Sequence, residues 1–276
     1  MTLILSCITR DYALQVSDRR LTWISGPDVG QTKDDNSNKA VIFGNRVGFS
    51  FTGLAEINGV KTDFWLADTL NVPGCRTASD ACAAIESRAT EAFRQLRGPA
   101  WMKRHAFVGV GWVLLAPDER FRPAICVVSN AEDEHGNWLP EAQPRFVTRF
   151  YGMADDKRVM LRPTGQRVEP DEKYYLLRNA YKCVSRGLGP ESILRLLAFG
   201  IRNIAARNVN VGKNLSVLSL PIGAAGSDMY TTVMSLPQPN VPSFCLLPEH
   251  MTNFVSDSAW IVNEYFIGQI ESLRVE

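Results

Sequence analysis

Four residues in the N-terminal part of the chain have side chains and spacing suited to nucleophilic catalysis: Thr2, Asp18, Lys39 and Gly53. Thr2 directly follows the initiator methionine, and its small side chain suits ordinary methionine removal. Removal would leave a hydroxyl nucleophile and a free α-amine on one residue. Such an amine ordinarily titrates near ~7.7–8.0, so it can accept the hydroxyl proton close to neutral pH.

The other three residues suit supporting roles around this nucleophile. Lys39 supplies a positive charge that keeps the amine neutral and stabilises a developing alkoxide. Asp18 would hold the ammonium form in place by a charge-assisted hydrogen bond. Gly53 lacks a Cβ, so substrate backbone can approach it closely, and its N–H can donate to a tetrahedral oxyanion. These residues predict attack by a threonine on an amide carbonyl, a reaction that requires no metal or organic cofactor.

In order and spacing, these residues resemble the N-terminal-nucleophile (Ntn) hydrolases of the proteasome β-subunit and bacterial HslV type. Asp18 is the seventeenth residue counted from Thr2 and begins an acidic-Arg-Arg-Leu-Thr run, as at the family's acidic position. Lys39 precedes a short apolar strand and lies 14 residues before Gly53, a spacing that matches the family lysine and glycine. The resemblance covers about residues 2–220.

The resemblance also implies a set of substrate-binding positions. By this likeness, Ala55 would bind substrate backbone, and Phe51 would form the floor of the pocket for the side chain before the cleaved bond. The remaining implied positions are Leu21, Thr22 and Val41, of which Leu21 and Val41 would form pocket walls. A different interpretation of Phe51 stays open, in which its ring simply packs in the core between sheets.

The chain departs from the family pattern in two regions. The segment after Thr22 is a few residues longer than usual, which makes Lys33 a second candidate for the lysine role. Active members of the family carry a supporting Asp and serines late in the domain. Here Asn208 stands at the place of the Asp, and the segment 164–166 (Thr-Gly-Gln) lacks the serine.

Hydrophobic periodicity predicts strands, two helices, strands, two helices and a strand. The predicted strands are residues 3–8, 12–17, 40–43, 46–52, 106–116, 122–130, 145–151 and 215–220. The predicted helices are 56–70, a second that is capped by Thr77 or Ser79 and ends near 96, 171–186 and 190–208. Two stacked sheets with helices outside each would bury these amphipathic elements. This order matches the α+β fold that the resemblance implies, a four-layer αββα sandwich over residues 1–220.

Residues 221–276 differ in composition from the rest of the chain. Four prolines between 237 and 248 exclude a long helix there, and an amphipathic segment follows at 258–273. We expect a C-terminal extension that packs on a neighbouring subunit or on the body of its own chain, where it could cover a sheet edge. Its predicted docking residues are Trp260, Val262, Tyr265, Phe266 and Ile270.

Composition excludes several other classes of function. The 276 residues are 45% hydrophobic and 21% charged with a formal net charge of +1, which does not suit binding to nucleic acid or to an anionic membrane. No apolar run approaches the ~20 residues of a membrane span, and no signal peptide is evident, so we expect a cytoplasmic protein. Three scattered histidines make a zinc site improbable, and six scattered cysteines predict reduced, mostly buried thiols.

The leading hypothesis is therefore a threonine peptidase, an amide hydrolase that acts on peptide or protein substrates. The resemblance implies a self-compartmentalised homo-oligomeric ring and names an ATP-dependent unfoldase as a candidate partner. Two alternatives use the same fold: an inactive proteasome-like subunit that serves as a scaffold or chamber, and an amidase for non-peptide substrates.

Overall fold

The structure is a computed structural model that describes residues 2–23, 27–43, 47–115 and 120–221, with the backbone of three short segments beyond them. In these residues the chain is mixed α+β, as predicted. The strands are β1 (Leu3–Thr9), β2 (Tyr12–Asp18), β3 (Leu21–Thr22), β4 (Thr32–Asp34), β5 (Ala40–Phe43), β6 (Val47–Thr52), β7 (Glu56–Ile57), β8 (Val60–Lys61), β9 (Ala106–Leu115), β10 (Arg120–Ser129), β11 (Val147–Gly152), β12 (Val159–Gly165), β13 (Leu215–Pro221), β14 (Thr232–Val233), β15 (Ser243–Cys245) and β16 (Ile261–Val262). The helices are α1 (Thr62–Leu70), α2 (Ala78–Gln95), α3 (Pro170–Ser185) and α4 (Pro190–Ala205), and Ala100–Lys103 forms a 3₁₀ turn.

Two large sheets organise the described residues. The first, called the N-terminal sheet, has the strand order β12-β1-β2-β13-β14, with β16 also paired to β13, and every pair is antiparallel. The second, called the central sheet, has the order β11-β10-β9-β6-β5-β15, in which β15 alone runs parallel to its neighbour. Neighbours in sequence mostly pair in space, because short loops join antiparallel strands.

Period-2 alternation gives each sheet two apolar faces. One face of the central sheet packs under α1 and α2 in a cluster that includes Phe49, Phe107 and Ile85. One face of the N-terminal sheet packs under α3 and α4. The remaining faces meet each other through a third cluster, to which Ile4 and Val108 belong. The polar groups at the ends of the inner strands are consequently shielded by protein on several sides.

The helix predicted over 56–70 is wrong in its first six residues. Residues 56–61 form the hairpin of β7 and β8, and helix α1 begins only at Thr62. Asn58 and Gly59 connect the two strands with φ angles of 51° and 80°. An Asn-Gly pair with both φ angles positive is typical of two-residue hairpins, so this local signal opposed the apolar spacing that had favoured a helix.

Strand β12 was not predicted, although it pairs with β1 along its whole length. Pro163 interrupts its sequence, and proline in a strand is tolerated at a sheet edge, which is where β12 lies. The predictions for α2, α3 and α4 are confirmed within a few residues. Thr77 caps α2 in a capping box with Asp80, and prolines begin both α3 and α4.

Beyond Pro221, three described segments pair with the two sheets. Strands β14 and β16 lie along β13, and β15 lies along β5. The predicted amphipathic segment and its docking residues lie outside the described residues, apart from the backbone of Ile261–Val262. In the described part of the chain, no helix is long and apolar enough to cross a membrane, and five of the six cysteines are free and buried.

Candidate active site

Strand pairing brings Thr2, Asp18 and Lys39 to one place. Thr2 immediately precedes β1 and Asp18 ends β2, and because the two strands are antiparallel these ends are adjacent. Lys39 immediately precedes β5 in the other sheet. All three side chains are buried: Thr2 is 5% exposed, while Asp18 and Lys39 are fully inaccessible to solvent.

The ammonium of Lys39 faces the hydroxyl of Thr2. Lys39 Nζ lies 2.5 Å from Thr2 Oγ1 and also donates to the carbonyl oxygen of Arg20. Burial lowers the pKa of Lys39, and the charge of Asp18, whose Oδ1 lies 3.7 Å from Nζ, opposes that shift. A lysine with a lowered pKa is a stronger proton donor to an oxygen beside it.

The carboxylate of Asp18 is fixed mainly by backbone N–H groups. Oδ2 accepts from Leu3 N at 2.7 Å, and Oδ1 accepts from Arg20 N at 3.0 Å and Gly212 N at 3.1 Å. These donors stabilise the ionised carboxylate in a buried position. They also place the amide that follows Thr2 directly against Asp18, so the acid orients the nucleophilic residue through its backbone.

The carbonyl of Thr2 is held by the ends of two other strands. Its oxygen accepts from Thr52 Oγ1 at 3.1 Å and from Gln166 N at 3.1 Å. Gly165 has a φ of +90°, and a Cβ there would lie 2.1 Å from this oxygen. The segment 164–166, where the sequence lacks the family's serine, thus does contact Thr2, but through backbone atoms.

Gly53 follows directly on Thr52 and adopts a φ of +123°, which L side chains rarely adopt. A Cβ at this position would lie 2.5 Å from the carbonyl oxygen of Arg104 and 2.6 Å from His105 Nδ1. The next amide, Leu54 N, donates to His105 Nδ1 at 3.0 Å. Glycine is required here both by the backbone conformation and by the lack of space.

Asn208 shapes a loop near the site. Its Oδ1 accepts from Asn210 N at 3.0 Å, and its carbonyl oxygen accepts from Val211 N at 3.0 Å. This turn places Gly212 N where it donates a hydrogen bond to Asp18 Oδ1. The Arg20 guanidinium ties the same loop to the site, since it donates to the carbonyl oxygen of Val209 at 2.8 Å.

The implied substrate-binding residues lie in different environments. Phe51 and Val41 are buried in the cluster under α1 and α2, and the ring of Phe51 stacks on His105 with centroids 5.9 Å apart. Leu21, Thr22 and Ala55 are half-buried. The packing of Phe51 agrees with the interpretation of this ring as a core residue, although it faces the helices and not the other sheet.

Lys33 lies away from Thr2. It belongs to β4, in the short hairpin with β3, and its Nζ lies 3.4 Å from Glu56 Oε1 and 4.7 Å from the centre of the Trp23 ring. Of the two lysines considered, Lys39 alone contacts the threonine hydroxyl among the described contacts. Among the residues that the structure describes, no group of three or more His, Cys, Asp or Glu side chains could hold a metal ion.

Several contacts at the site involve residues that sequence reasoning did not select. Thr52 donates to the Thr2 carbonyl, and Gly165 lies against the same carbonyl. Gly212 donates to Asp18, and His105 accepts from Leu54 N, next to Gly53. The position of Thr52 beside Gly53 was an available signal. Gly165 belongs to the segment 164–166, to which the resemblance had pointed for a missing serine. For Gly212 and His105 the sequence holds no local signal, because their contacts depend on pairing between distant strands.

No family model matches the sequence, and no curated protein matches it significantly.

Proposed function

We propose that the protein is a threonine-dependent amide hydrolase, a peptidase with Thr2 as its nucleophile. The observation that carries the proposal is the contact of 2.5 Å between Lys39 Nζ and Thr2 Oγ1, in a buried site that also holds Asp18. A buried lysine directed at a threonine hydroxyl costs desolvation free energy. Activation of that hydroxyl gives a reason for the arrangement.

In the proposed reaction, Thr2 Oγ attacks the substrate carbonyl carbon while the Thr2 α-amine takes the hydroxyl proton. The Gly53 N–H donates to the oxyanion of the tetrahedral intermediate. Breakage of the C–N bond releases an amine, which takes the proton, and leaves an ester on Thr2. Water then hydrolyses the ester and restores the hydroxyl.

The fold proposed for this site is the four-layer αββα sandwich of the Ntn hydrolases. Three separate apolar clusters support it, because each joins two adjacent layers: α1 and α2 with the central sheet, the two sheets with each other, and the N-terminal sheet with α3 and α4. The position of Thr2 at the start of an inner strand also suits a nucleophile at the end of such a sandwich.

A second candidate, an inactive subunit with the same fold, is favoured by one observation. Asn208 carries no charge, and its side-chain oxygen is occupied by the N–H of Asn210. Support of the Thr2 amine would therefore have to come from other groups. The two candidates differ in whether the N-terminus is freed and reacts.

Intact mass spectrometry of the full chain before and after incubation with a threonine-directed β-lactone tests the proposal. We expect a chain that begins at Thr2 and gains the mass of one inhibitor, and a Thr2→Ala variant that gains none. Thr2→Ser is the matched control, since it keeps a hydroxyl and should still react. A chain that begins at Thr2 yet neither reacts nor hydrolyses any peptide would show that the proposed function is wrong.

A further inference from the structure

His105 is a completely buried histidine whose ring lies in an aromatic cluster. Its nearest ring is Phe107, at a centroid separation of 4.5 Å, followed by Phe93 at 5.2 Å and Phe51 at 5.9 Å. Its backbone is fixed by Asn130, whose Oδ1 accepts from His105 N at 2.8 Å. The ring therefore has a fixed place beneath the end of β6.

One ring nitrogen has a hydrogen bond and the other has none. Nδ1 accepts from Leu54 N, so Nδ1 carries no proton and the neutral ring holds its proton on Nε2. Nε2 is buried and, among the described residues, has no hydrogen-bond partner. Burial lowers the pKa of His105 to about 3, which keeps the ring neutral throughout the neutral pH range.

An unpartnered buried N–H is costly, and a phenylalanine at position 105 would avoid that cost. The surroundings suit a phenyl ring, since they consist largely of other aromatic rings. A phenyl ring offers no acceptor, however, and would leave Leu54 N–H without its partner. The hydrogen bond that Leu54 N donates to Nδ1 thus explains why this position holds an imidazole and not a phenyl ring.

Gly53 is held between two anchors. On one side, Thr52 Oγ1 donates to the carbonyl oxygen of Thr2. On the other side, Leu54 N donates to His105, and the carbonyl oxygen of Leu54 accepts from Thr62 Oγ1 at 2.8 Å. The peptide unit that carries the Gly53 N–H therefore lies in the chain between Thr52, which contacts the Thr2 carbonyl, and Leu54, which contacts the imidazole.

We propose that His105 is a positioning residue that fixes the Gly53 N–H relative to Thr2 for oxyanion stabilisation. The proposal rests on the proposed function and deepens it. An oxyanion donor is effective only when its position is set before the reaction, and a displacement of about 1 Å costs on the order of 10²-fold in rate. His105 itself touches neither the nucleophile nor the oxyanion.

Three variants of the full chain test this role. His105→Phe keeps the ring and removes the acceptor. His105→Asn loses the ring but places an amide oxygen near the position of Nδ1. Phe146→Leu is the control, because it weakens the same aromatic cluster without any hydrogen bond to the Gly53 segment.

The measurements are kcat and KM for a fluorogenic peptide, Tm, and the hydrogen exchange rate of the Leu54 amide. For His105→Phe we expect a loss of about 10- to 100-fold in kcat with little change in KM, and faster exchange at Leu54. His105→Asn should recover most of the kcat and of the protection from exchange. Phe146→Leu should lower Tm and leave kcat near that of the wild type.

The outcomes separate this inference from the proposed function. An active wild type whose kcat is unchanged in His105→Phe would overturn the positioning role alone. The role is also overturned if kcat in all three variants simply follows Tm, since that pattern would show that His105 only packs. A wild type that begins at Thr2 and hydrolyses nothing would overturn the proposed function, and the positioning role with it.

Discussion

Two pairs of opposite charge, each with a buried carboxylate, differ in how their partners meet. At the candidate site, Asp18 and Lys39 are both completely buried, yet their nearest charged atoms are 3.7 Å apart. In the second pair, Arg162 of β12 and Glu132, which follows β10, are in direct contact at 2.7 Å. Arg162 also stacks on the ring of Tyr151, 3.9 Å from its centre.

The difference lies in what each charge is bonded to. Asp18 is satisfied by backbone N–H groups, which leaves Lys39 directed at Thr2 Oγ1. Glu132 has Arg162 as its principal partner, and burial still raises the pKa of Glu132. The first arrangement presents a cation to a nucleophile, whereas the second neutralises charge between β12 and the segment that follows β10. Ion pairs with a buried carboxylate can therefore serve different purposes in one chain.

Removal of the Arg162 cation should have the largest effect on stability. Arg162→Met leaves Glu132 buried and unpaired, which typically costs about 3–5 kcal/mol in the free energy of unfolding. Without Arg162, whose charge lowers the pKa of Glu132, that pKa is raised further in the folded variant than in the wild type. The folded variant therefore takes up a proton at Glu132 at higher pH, and the loss of stability should be smaller at pH 5 than at pH 7. Urea unfolding at the two pH values measures it.

Arg167→Met, which breaks an exposed pair with Glu169, is the control and should change stability by less than about 1 kcal/mol. Peptide hydrolysis per folded molecule should remain unchanged in Arg162→Met. A loss of hydrolysis without a loss of stability would contradict the structural role assigned to this pair.

Removal of the cation at the site should instead affect catalysis. Lys39→Met keeps much of the buried volume, and the Asp18 carboxylate retains its three N–H donors. Loss of a group that stabilises developing negative charge typically lowers kcat by about 10²–10³-fold. Lys33→Met is the matched control and should leave kcat unchanged; the reverse result would show that the lysine was assigned wrongly.

The pH dependence of hydrolysis should report the Thr2 amine. Only the neutral amine accepts the hydroxyl proton, so kcat/KM should fall about tenfold per pH unit below the amine pKa, ordinarily near 7.7–8.0. Lys39→Met removes a nearby positive charge and should move the midpoint to higher pH, since protonation of the amine becomes easier. A midpoint that moves to lower pH would contradict the proposed role of Lys39.

The smallest expected effect concerns two buried threonines. Thr52→Val removes the hydrogen bond to the Thr2 carbonyl and should cost about 1 kcal/mol of stability, with a lower kcat. Thr164 is equally buried, but its Oγ1 has no partner among the described residues, so Thr164→Val should be neutral or stabilising. Thermal unfolding of both variants provides the comparison, and equal losses would contradict it.

The sequence by itself was sufficient for the local features of the fold. Hairpins such as β1 and β2, the cap at Thr77 and the amphipathic faces of α2 to α4 depend on neighbours within a few residues, so residue type and periodicity report them. It also indicated which lysine and which acid to consider at the site. The Asn-Gly turn at 58–59 was visible as well, but apolar spacing was given more weight.

Tertiary structure alone decided which atoms meet at the site. Gly212 reaches Asp18 because β13 pairs with β2, and Gly165 reaches Thr2 because the unpredicted edge strand β12 pairs with β1. His105 meets Leu54 only across the pairing of β6 with β9. Such contacts join residues far apart in the chain, and burial, which changes the pKa of Lys39 and His105, exists only after the sheets have packed. The sequence therefore determined the chemical groups and the strands that carry them, while the packing of the sheets determined their distances, partners and proton affinities.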